Sequence, residues 1–159
     1  MFDRQVEKTI GRYGGKILSS PGFYAALKQK HHRHSDVGTH SLHVAQTGVR
    51  MHLLLEKAGI STDARSIVIG ALCHDLGMLE TDRKYHSNRE CCRRHPIDSA
   101  KAAQQLIGTL DEKTKDAILH HMFPATKTPP ASAEGFIVSI ADKYVSVKDL
   151  LRSLPFRQA

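Results

Sequence analysis

Residues 73–77 read Cys-His-Asp-Leu-Gly and directly follow the most apolar segment of the chain, residues 67–72. That segment is apolar on nearly all sides of a helix, so it predicts a central, buried helix over residues 63–75. His74 and Asp75 then stand at the end of a buried helix, where an unpaired imidazole and carboxylate cost several kcal/mol unless they pair or bind a metal ion. Taken alone, the pair favours a simpler interpretation, a capping aspartate beside a core histidine.

The rest of the chain predicts helices joined by short connections, and strand-like alternation is scarce. We therefore expect an all-α fold, with loops over the polar residues 30–36 and 81–94. The predicted helices cover residues 2–13 (ended by Gly14-Gly15), a segment opened by Pro21, residues 39–57 (closed by Gly59), 63–75, 96–108, a segment capped by Asp111 that leads to His120-His121, and a last helix from about Ser132 that exposes the stripe Phe136, Ile137, Ile140, Ala141, Tyr144 and Leu151.

The composition is that of an ordinary soluble globular protein, with 159 residues, 40% hydrophobic residues and 25% charged residues. No apolar run approaches the length of a membrane span, and residues 1–5 do not resemble the start of a signal peptide. Three cysteines, two of them adjacent, argue against a disulfide framework and for a reducing compartment. We expect one cytoplasmic domain over residues 1–159, with N-terminal helices over about 1–30 and a functional core over about 32–151.

The chain is basic, with a net charge of +7 and 11 histidines. Such a surface attracts nucleic acid, a membrane face or small anions, although a solvated face without a specific partner explains it equally well. The Tyr and Phe residues do not alternate with Lys and Arg, so a platform for stacking single-stranded nucleic acid is poorly supported. The composition therefore favours a small anionic partner over nucleic acid.

Two further residues join the His-Asp pair at the edges of apolar helix faces. His40 opens the amphipathic helix predicted over residues 39–57, and Asp142 lies beside the apolar stripe of the last helix. A carboxylate at the edge of a buried face needs a partner. Two histidines and two aspartates around one ion leave positions for water, which is a catalytic rather than a structural arrangement.

The set His40, His74-Asp75 and Asp142 resembles the H…HD…D signature of the HD superfamily of phosphohydrolases, over about residues 32–150. The stretch His-Ser-Leu-His-Val-Ala at residues 40–45 is similar to the family's stretch around its first ligand. This alignment selects His40 over His43, whereas a count of histidines alone leaves both open. The resemblance implies a single-domain HD-type helical bundle that binds a divalent metal ion through these four residues.

Two further elements resemble those of HD proteins that bind a second metal ion. Residues 94–96 read Arg-His-Pro, and residues 117–121 read Ala-Ile-Leu-His-His, where an isoleucine three positions earlier points to His121 rather than His120. The resemblance implies that Asp75 bridges to a second ion held by His95 and His121. Ligands of this nitrogen and oxygen type fit one or two ions of Fe, Mn, Zn, Co or Ni better than Mg.

Two departures from the family bear on the substrate. Met122 stands where the subgroup that degrades cyclic dinucleotides has a second histidine, and Met78 stands where many HD enzymes carry a lysine. Phosphate contact must then come from other residues. The candidates by position are Arg93, Arg94, Lys127 and Lys143, together with His32, which matches a histidine that lies eight residues before the first ligand in some bacterial HD proteins.

The implied activity is hydrolysis of a phosphate ester or anhydride, and we expect the phosphorylated substrate to be a nucleotide. A metal-activated hydroxide would attack phosphorus, with His74 and Asp75 as the catalytic pair that holds the metal. Two alternatives come from other classes of function. A di-iron site on the same fold would activate oxygen, and a degenerate site would leave a non-catalytic nucleotide-binding module.

Overall fold

The structure, a computed structural model, describes residues 2–32, 35–79 and 84–153, except for the side chains of residues 31, 32 and 153. These residues form an all-α fold, as predicted, and none of the described helices is long and apolar enough to cross a membrane. The elements are α1 (Phe2–Leu18), α2 (Pro21–Ala26), a hairpin of β1 (Lys30–His32) and β2 (Ser35–Asp36), α3 (Val37–Lys57), α4 (Ala64–Cys73), a 3-10 turn (Leu76–Met78), α5 (Asn88–Ile107), α6 (Glu112–Leu119) and α7 (Ala133–Ser153).

Helix α4 lies at the centre of the fold, as its apolar sequence predicts. Residues 66–73 are all buried, and the helix packs against α1, α3, α6 and α7. Asp63 begins it, since the carboxylate accepts a hydrogen bond from the Arg65 N–H. The surrounding helices therefore meet around the C-terminal end of α4, where His74 and Asp75 lie.

A polar network fastens the beginnings of α4, α6 and α7 to one another. The Glu134 carboxylate on α7 is buried and accepts hydrogen bonds from the Asp63 N–H at 2.7 Å and from Lys113 Nζ on α6 at 2.8 Å. Asp111 caps α6 through the Thr114 N–H, as predicted. Charged caps of this kind fix the relative positions of the helices because each carboxylate binds groups from more than one of them.

The 3-10 turn after α4 is pressed against α5 at Gly77. The Gly77 N–H donates a hydrogen bond to Ser99 Oγ at 2.8 Å, and a Cβ at this position would overlap the His95 carbonyl and the Ser99 N–H. Tyr85 reinforces the contact, since its hydroxyl lies within hydrogen-bond distance of the Gly77 carbonyl and of the Asp98 carboxylate. This close approach brings Asp75, two residues before Gly77, to the face of α5 that carries His95.

The structure corrects four of the sequence predictions, three on secondary-structure elements and one on burial. Helix α1 runs through Gly14-Gly15 to Leu18, because Gly14 is buried against Leu72 of α4 and needs to have no side chain there. Residues 30–36 contain the short hairpin β1–β2 rather than a loop alone. Helix α5 begins at Asn88 instead of at Pro96, and it is capped by Ser87, whose hydroxyl accepts the Glu90 N–H.

The earlier start of α5 also places Cys91 and Cys92 on a helix rather than in a loop, both as free thiols. The fourth correction concerns α7, whose predicted stripe divides between two faces. Ile137 and Ala141 are buried, whereas the other members are exposed on the adjoining side of the helix. The exposed members are Phe136, Ile140, Tyr144 and Leu151.

Replacing Glu134 by glutamine is expected to lower the free energy of unfolding by about 1–3 kcal/mol at pH 7. Burial opposes ionisation of Glu134, but the hydrogen bonds from Lys113 and from the Asp63 N–H outweigh it and place the pKa below its ordinary value of 4.5. A lowered pKa stabilises the fold above the unfolded-state pKa, and this stabilisation is lost as pH falls through the folded-state pKa. The difference between wild type and Glu134→Gln should therefore shrink between pH 7 and pH 4, measured by urea unfolding.

Glu112→Gln serves as the control. The Glu112 side chain lies in the first turn of α6 and is 88% exposed, and among the described contacts it pairs only with Lys115. The substitution should cause no measurable loss of stability. A difference between wild type and Glu134→Gln that stays constant from pH 7 to pH 4 would contradict the role assigned to the Glu134 charge.

Gly77→Ala is expected to destabilise the protein by about 1–3 kcal/mol, because the added methyl group meets backbone atoms of α5 that cannot move independently. Gly11→Ala is the matched control, since a Cβ at Gly11 on α1 would have nothing within 4 Å and should add up to about 1 kcal/mol of helix stability. Thermal or urea unfolding measures both. Equal stability of Gly77→Ala and wild type would show that the turn and α5 are not in close contact.

Candidate metal centre

The first half of the centre joins α3, α4 and α7. His40 on α3 is fully buried, and its Nε2 lies 3.0 Å from Asp142 Oδ1 on α7. The same carboxylate oxygen lies 3.8 Å from Nε2 of His74, also fully buried, at the end of α4. His43, one turn further along α3, is only half-buried. The structure therefore brings His40 to the other predicted ligands.

The second half joins α4, α5 and the end of α6 through Asp75. Its Oδ1 lies 3.3 Å from His95 Nε2 and 3.5 Å from His121 Nε2, while its Oδ2 lies 3.2 Å from His74 Nε2. The Nε2 atoms of His95 and His121 are 2.9 Å apart. All four residues are buried. Asp75 links the two halves, because its Oδ2 contacts His74, which also lies beside Asp142 in the first half.

His74, His95 and His121 are each oriented by a hydrogen bond to a nearby backbone carbonyl. Each Nδ1 lies within hydrogen-bond distance of a backbone carbonyl one turn earlier, namely Ala71 at 2.7 Å, Cys91 at 2.8 Å and Ile118 at 2.6 Å. A carbonyl only accepts, so each Nδ1 must carry the proton. The proton on Nδ1 fixes the tautomer and turns each Nε2 towards Asp75, as is usual for metal-binding histidines.

The charges of the site follow from burial and close pairing. Burial opposes ionisation of Asp75, but the positive charge of His74 and the close contacts of the carboxylate with His121, His74 and His95 hold its pKa well below the usual range. Burial also opposes ionisation of Asp142, and the hydrogen bonds from His40 and His74 again hold the pKa far below its ordinary value. Two buried carboxylates are therefore ionised, and they require positive charge nearby.

In the protein alone, a proton on His74 supplies part of that charge. Burial opposes the protonated ring, yet the carboxylates of Asp75 and Asp142 outweigh this effect and raise the pKa of His74 to about 10. His121 is different, because burial lowers its pKa and keeps the ring neutral. A cation bound between the carboxylates would replace the proton on His74.

The residues fit divalent transition-metal ions on two observations. Ligand atoms of His40, His74 and Asp142 lie within 4.8 Å of one another, and so do those of His74, Asp75 and His121. The Nε2 lone pairs of His95 and His121 face each other at 2.9 Å, an arrangement that is repulsive unless a proton or a cation lies against them. Imidazole nitrogens and carboxylate oxygens suit Fe, Mn, Zn, Co and Ni.

Sequence reasoning missed the groups that hold His121 and the helix end around it. Ser139 Oγ and Lys143 Nζ, both on α7, donate hydrogen bonds to the His121 carbonyl. His120, the open alternative to His121, is turned away from the centre and pairs through Nδ1 with Asp116 at 2.7 Å. No local pattern identifies Ser139, whereas a histidine at the end of a helix is a recognisable signal for the carbonyl contact one turn earlier.

The predicted substrate-binding residues are dispersed. Lys143 lies at the edge of the centre, with Nζ 3.2 Å from Asp142 Oδ2. Arg94 is 64% exposed, pairs with Glu90 and lines a groove on the outer face of α5 with Arg93, away from buried His95. Two further candidates add no contact to the site. Lys127 is exposed in the connection before α7, and the side chain of His32 lies outside the described residues.

Comparisons with known proteins agree with this arrangement. The model of the HD domain family matches residues 37–146, well over half of the 159 residues and within the predicted core of residues 32–151. Neither a search of curated proteins nor a search of solved structures found a significant match. The matched span contains His40, the His74-Asp75 pair and Asp142. The chain therefore belongs to the HD-domain family.

Proposed function

We propose that the protein is a metal-dependent phosphohydrolase that cleaves a phosphate ester or anhydride of a nucleotide. Membership of the HD-domain family supports the general class, because this superfamily consists typically of metal-dependent hydrolases of phosphorylated compounds. The observation that carries the proposal is the position of Asp75, whose two carboxylate oxygens face different histidines. One carboxylate that faces both halves of a centre is suited to bridge two ions.

We assign the first ion to His40, His74, Asp75 and Asp142, and the second to Asp75, His95 and His121. When bound, such ions polarise phosphoryl oxygens and lower the pKa of water, which is the chemistry that phosphate hydrolysis requires. The protein contributes a rigid set of Nε2 lone pairs and two ionised carboxylates in a buried setting. Preorganised charge of this kind needs little rearrangement when the substrate binds.

Substrate contact is assigned to Lys143, since its Nζ lies beside Asp142 at the margin of the centre. The lysine is 37% exposed, so a phosphate oxygen would replace one of the longer contacts of its Nζ, with Ser139 Oγ at 3.3 Å or Asp142 Oδ2 at 3.2 Å. Its hydrogen bond to the His121 carbonyl holds the side chain in place. The net charge of +7 supports an anionic substrate through long-range attraction.

We expect the wild-type protein, purified without chelator, to contain about two transition-metal ions per chain. His121→Ala should lower this to about one, because it removes a ligand of the second ion only. Asp75→Ala should lower the content further, because that carboxylate contacts both halves. Elemental analysis of the purified proteins measures the content.

The control for this experiment is a substitution of His120, the residue next to His121. His120→Ala leaves the ligands intact and should retain the wild-type metal content. Equal metal content in His121→Ala and wild type would remove the second ion from the proposal. A wild-type protein that takes up no metal ion even after addition of Mn or Fe would favour a nucleotide-binding module instead.

Hydrolysis should depend on His40 and not on His43. We expect His40→Ala to lower kcat/KM by at least about 1,000-fold, because it removes a ligand, and His43→Ala to change it by less than about threefold. Activity is measured with Mn or Fe on p-nitrophenyl phosphate and its diester, and then on nucleotides. The reverse order of the two variants would show that the ligand on α3 is misassigned.

A di-iron oxygenase is the alternative that the second half of the centre favours, because His95 and His121 add two nitrogen ligands to the shared Asp75. The two functions separate in one experiment. Iron-loaded protein that consumes oxygen with an organic substrate, and hydrolyses no phosphate ester or anhydride, would replace the phosphohydrolase with an oxygenase.

A further inference from the structure

Helix α7 has two apolar faces, and only one of them packs on the core. The inner face is buried through Ile137, Val138, Ala141 and Val145. Outside this face α7 carries six exposed large apolar side chains. Five of them follow one line along the helix, which we call the outer stripe, and Leu150 lies beside that line. The members of the stripe are Phe136 (41% exposed), Ile140 (53%), Tyr144 (57%), Val147 (55%) and Leu151 (55%).

A helix that is apolar on both faces is normally buried on both. Helix α4 follows this rule, since the neighbouring helices cover it on every side. The outer stripe of α7 does not, because its residues stay exposed in the described part of the fold. The largest contiguous apolar patch on a protein surface, typically about 300–600 Å² in area, is often a site of association.

The spacing of the stripe indicates what shape of partner it fits. Its members follow one another at intervals of four, four, three and four residues, which places them along one side of the helix. The stripe is about 22 Å long at 1.5 Å per residue. A straight apolar ridge of this length is the surface that packs against another helix.

We propose that two copies of this chain associate through the outer stripe, with α7 of one copy antiparallel to α7 of the other. About half of each of five large side chains amounts to roughly 500 Å² of apolar surface per copy. A homodimer interface of standard size buries about 800 Å² per subunit, of which about 65% is apolar. The area of the stripe therefore matches what a stable dimer requires.

The stripe is also complementary to itself. Its midpoint lies next to Tyr144, so an antiparallel arrangement brings the Phe136 end of one copy to the Leu151 end of the other. Two-fold symmetry then places each Tyr144 near its equivalent. Lys148 lies at the margin, with Nζ 6.0 Å from the centre of the Tyr144 ring. Apolar residues along the middle and a charged group at the edge form the usual pattern of an interface.

The test is the mass of the full-length protein by sedimentation equilibrium at about 1–100 μM. Wild type should be a dimer, and Tyr144→Glu should raise the dissociation constant by at least about 100-fold, because two carboxylates are forced into one apolar contact. Tyr24→Glu is the matched control. Tyr24 lies on α2 and is also 57% exposed, so the same change there should alter the dissociation constant by less than about threefold.

Ile140→Glu repeats the test at a second position, and circular dichroism shows whether each variant is folded. A folded wild-type protein that is monomeric at 100 μM overturns the proposal, including the case in which another protein or the chain's own residues 154–159 cover the stripe. A dimer that survives both Tyr144→Glu and Ile140→Glu also overturns it, since the contact then lies on another face.

Discussion

The buried negative charge of Asp75 is the constraint on which the rest of the structure depends. Its carboxylate is 3% exposed and lies within 3.5 Å of three imidazole nitrogens from α4, α5 and the end of α6. An ionised carboxylate in this position is tolerated only with its partners in place, because its desolvation is otherwise uncompensated. The close contact at Gly77 and the burial of α4 can therefore be understood as the means by which Asp75 is carried into the centre.

Three of the four histidines of the centre are oriented by backbone groups rather than by further polar side chains. The carbonyls that accept from His74, His95 and His121 all belong to the preceding helical turn. A helix therefore supplies both the ring and the acceptor that orients it, and the acceptor adds no charge of its own to an already crowded site. This arrangement leaves the surrounding core free to be apolar, which strengthens every electrostatic interaction inside it.

Much of the fold and of the candidate site could be predicted from the sequence, because ionisable residues at the ends of apolar segments need partners. The buried helix before residues 73–77 follows from local pattern alone. The His74-Asp75 pair does not, since it is interpreted as part of a site only together with His40, Asp142 and the resemblance to the HD superfamily. The start of α5 was predicted wrongly, because proline is favoured in the first turn of a helix and disfavoured in its interior, whereas Pro96 lies inside α5. The first two turns of α5, before Pro96, are stabilised by the Ser87 cap and by contact with the 3-10 turn. These turns contain Cys91, whose carbonyl orients His95. The position of His121 rather than His120 likewise depends on how α6 packs.

Helix α7 connects the candidate metal centre to the outer stripe. Asp142 and Tyr144 are two residues apart, so their side chains point to nearly opposite sides of the helix, about 160° apart around its axis. The beginning of α7 is fixed by Ser132, whose hydroxyl accepts the Gly135 N–H and whose own N–H donates to Asp116. Because His40 is held by α3, the distance between His40 and Asp142 is set by where α7 lies. An association through the outer stripe acts on that helix from the side opposite Asp142, so it would hold Asp142 in place without contacting that carboxylate.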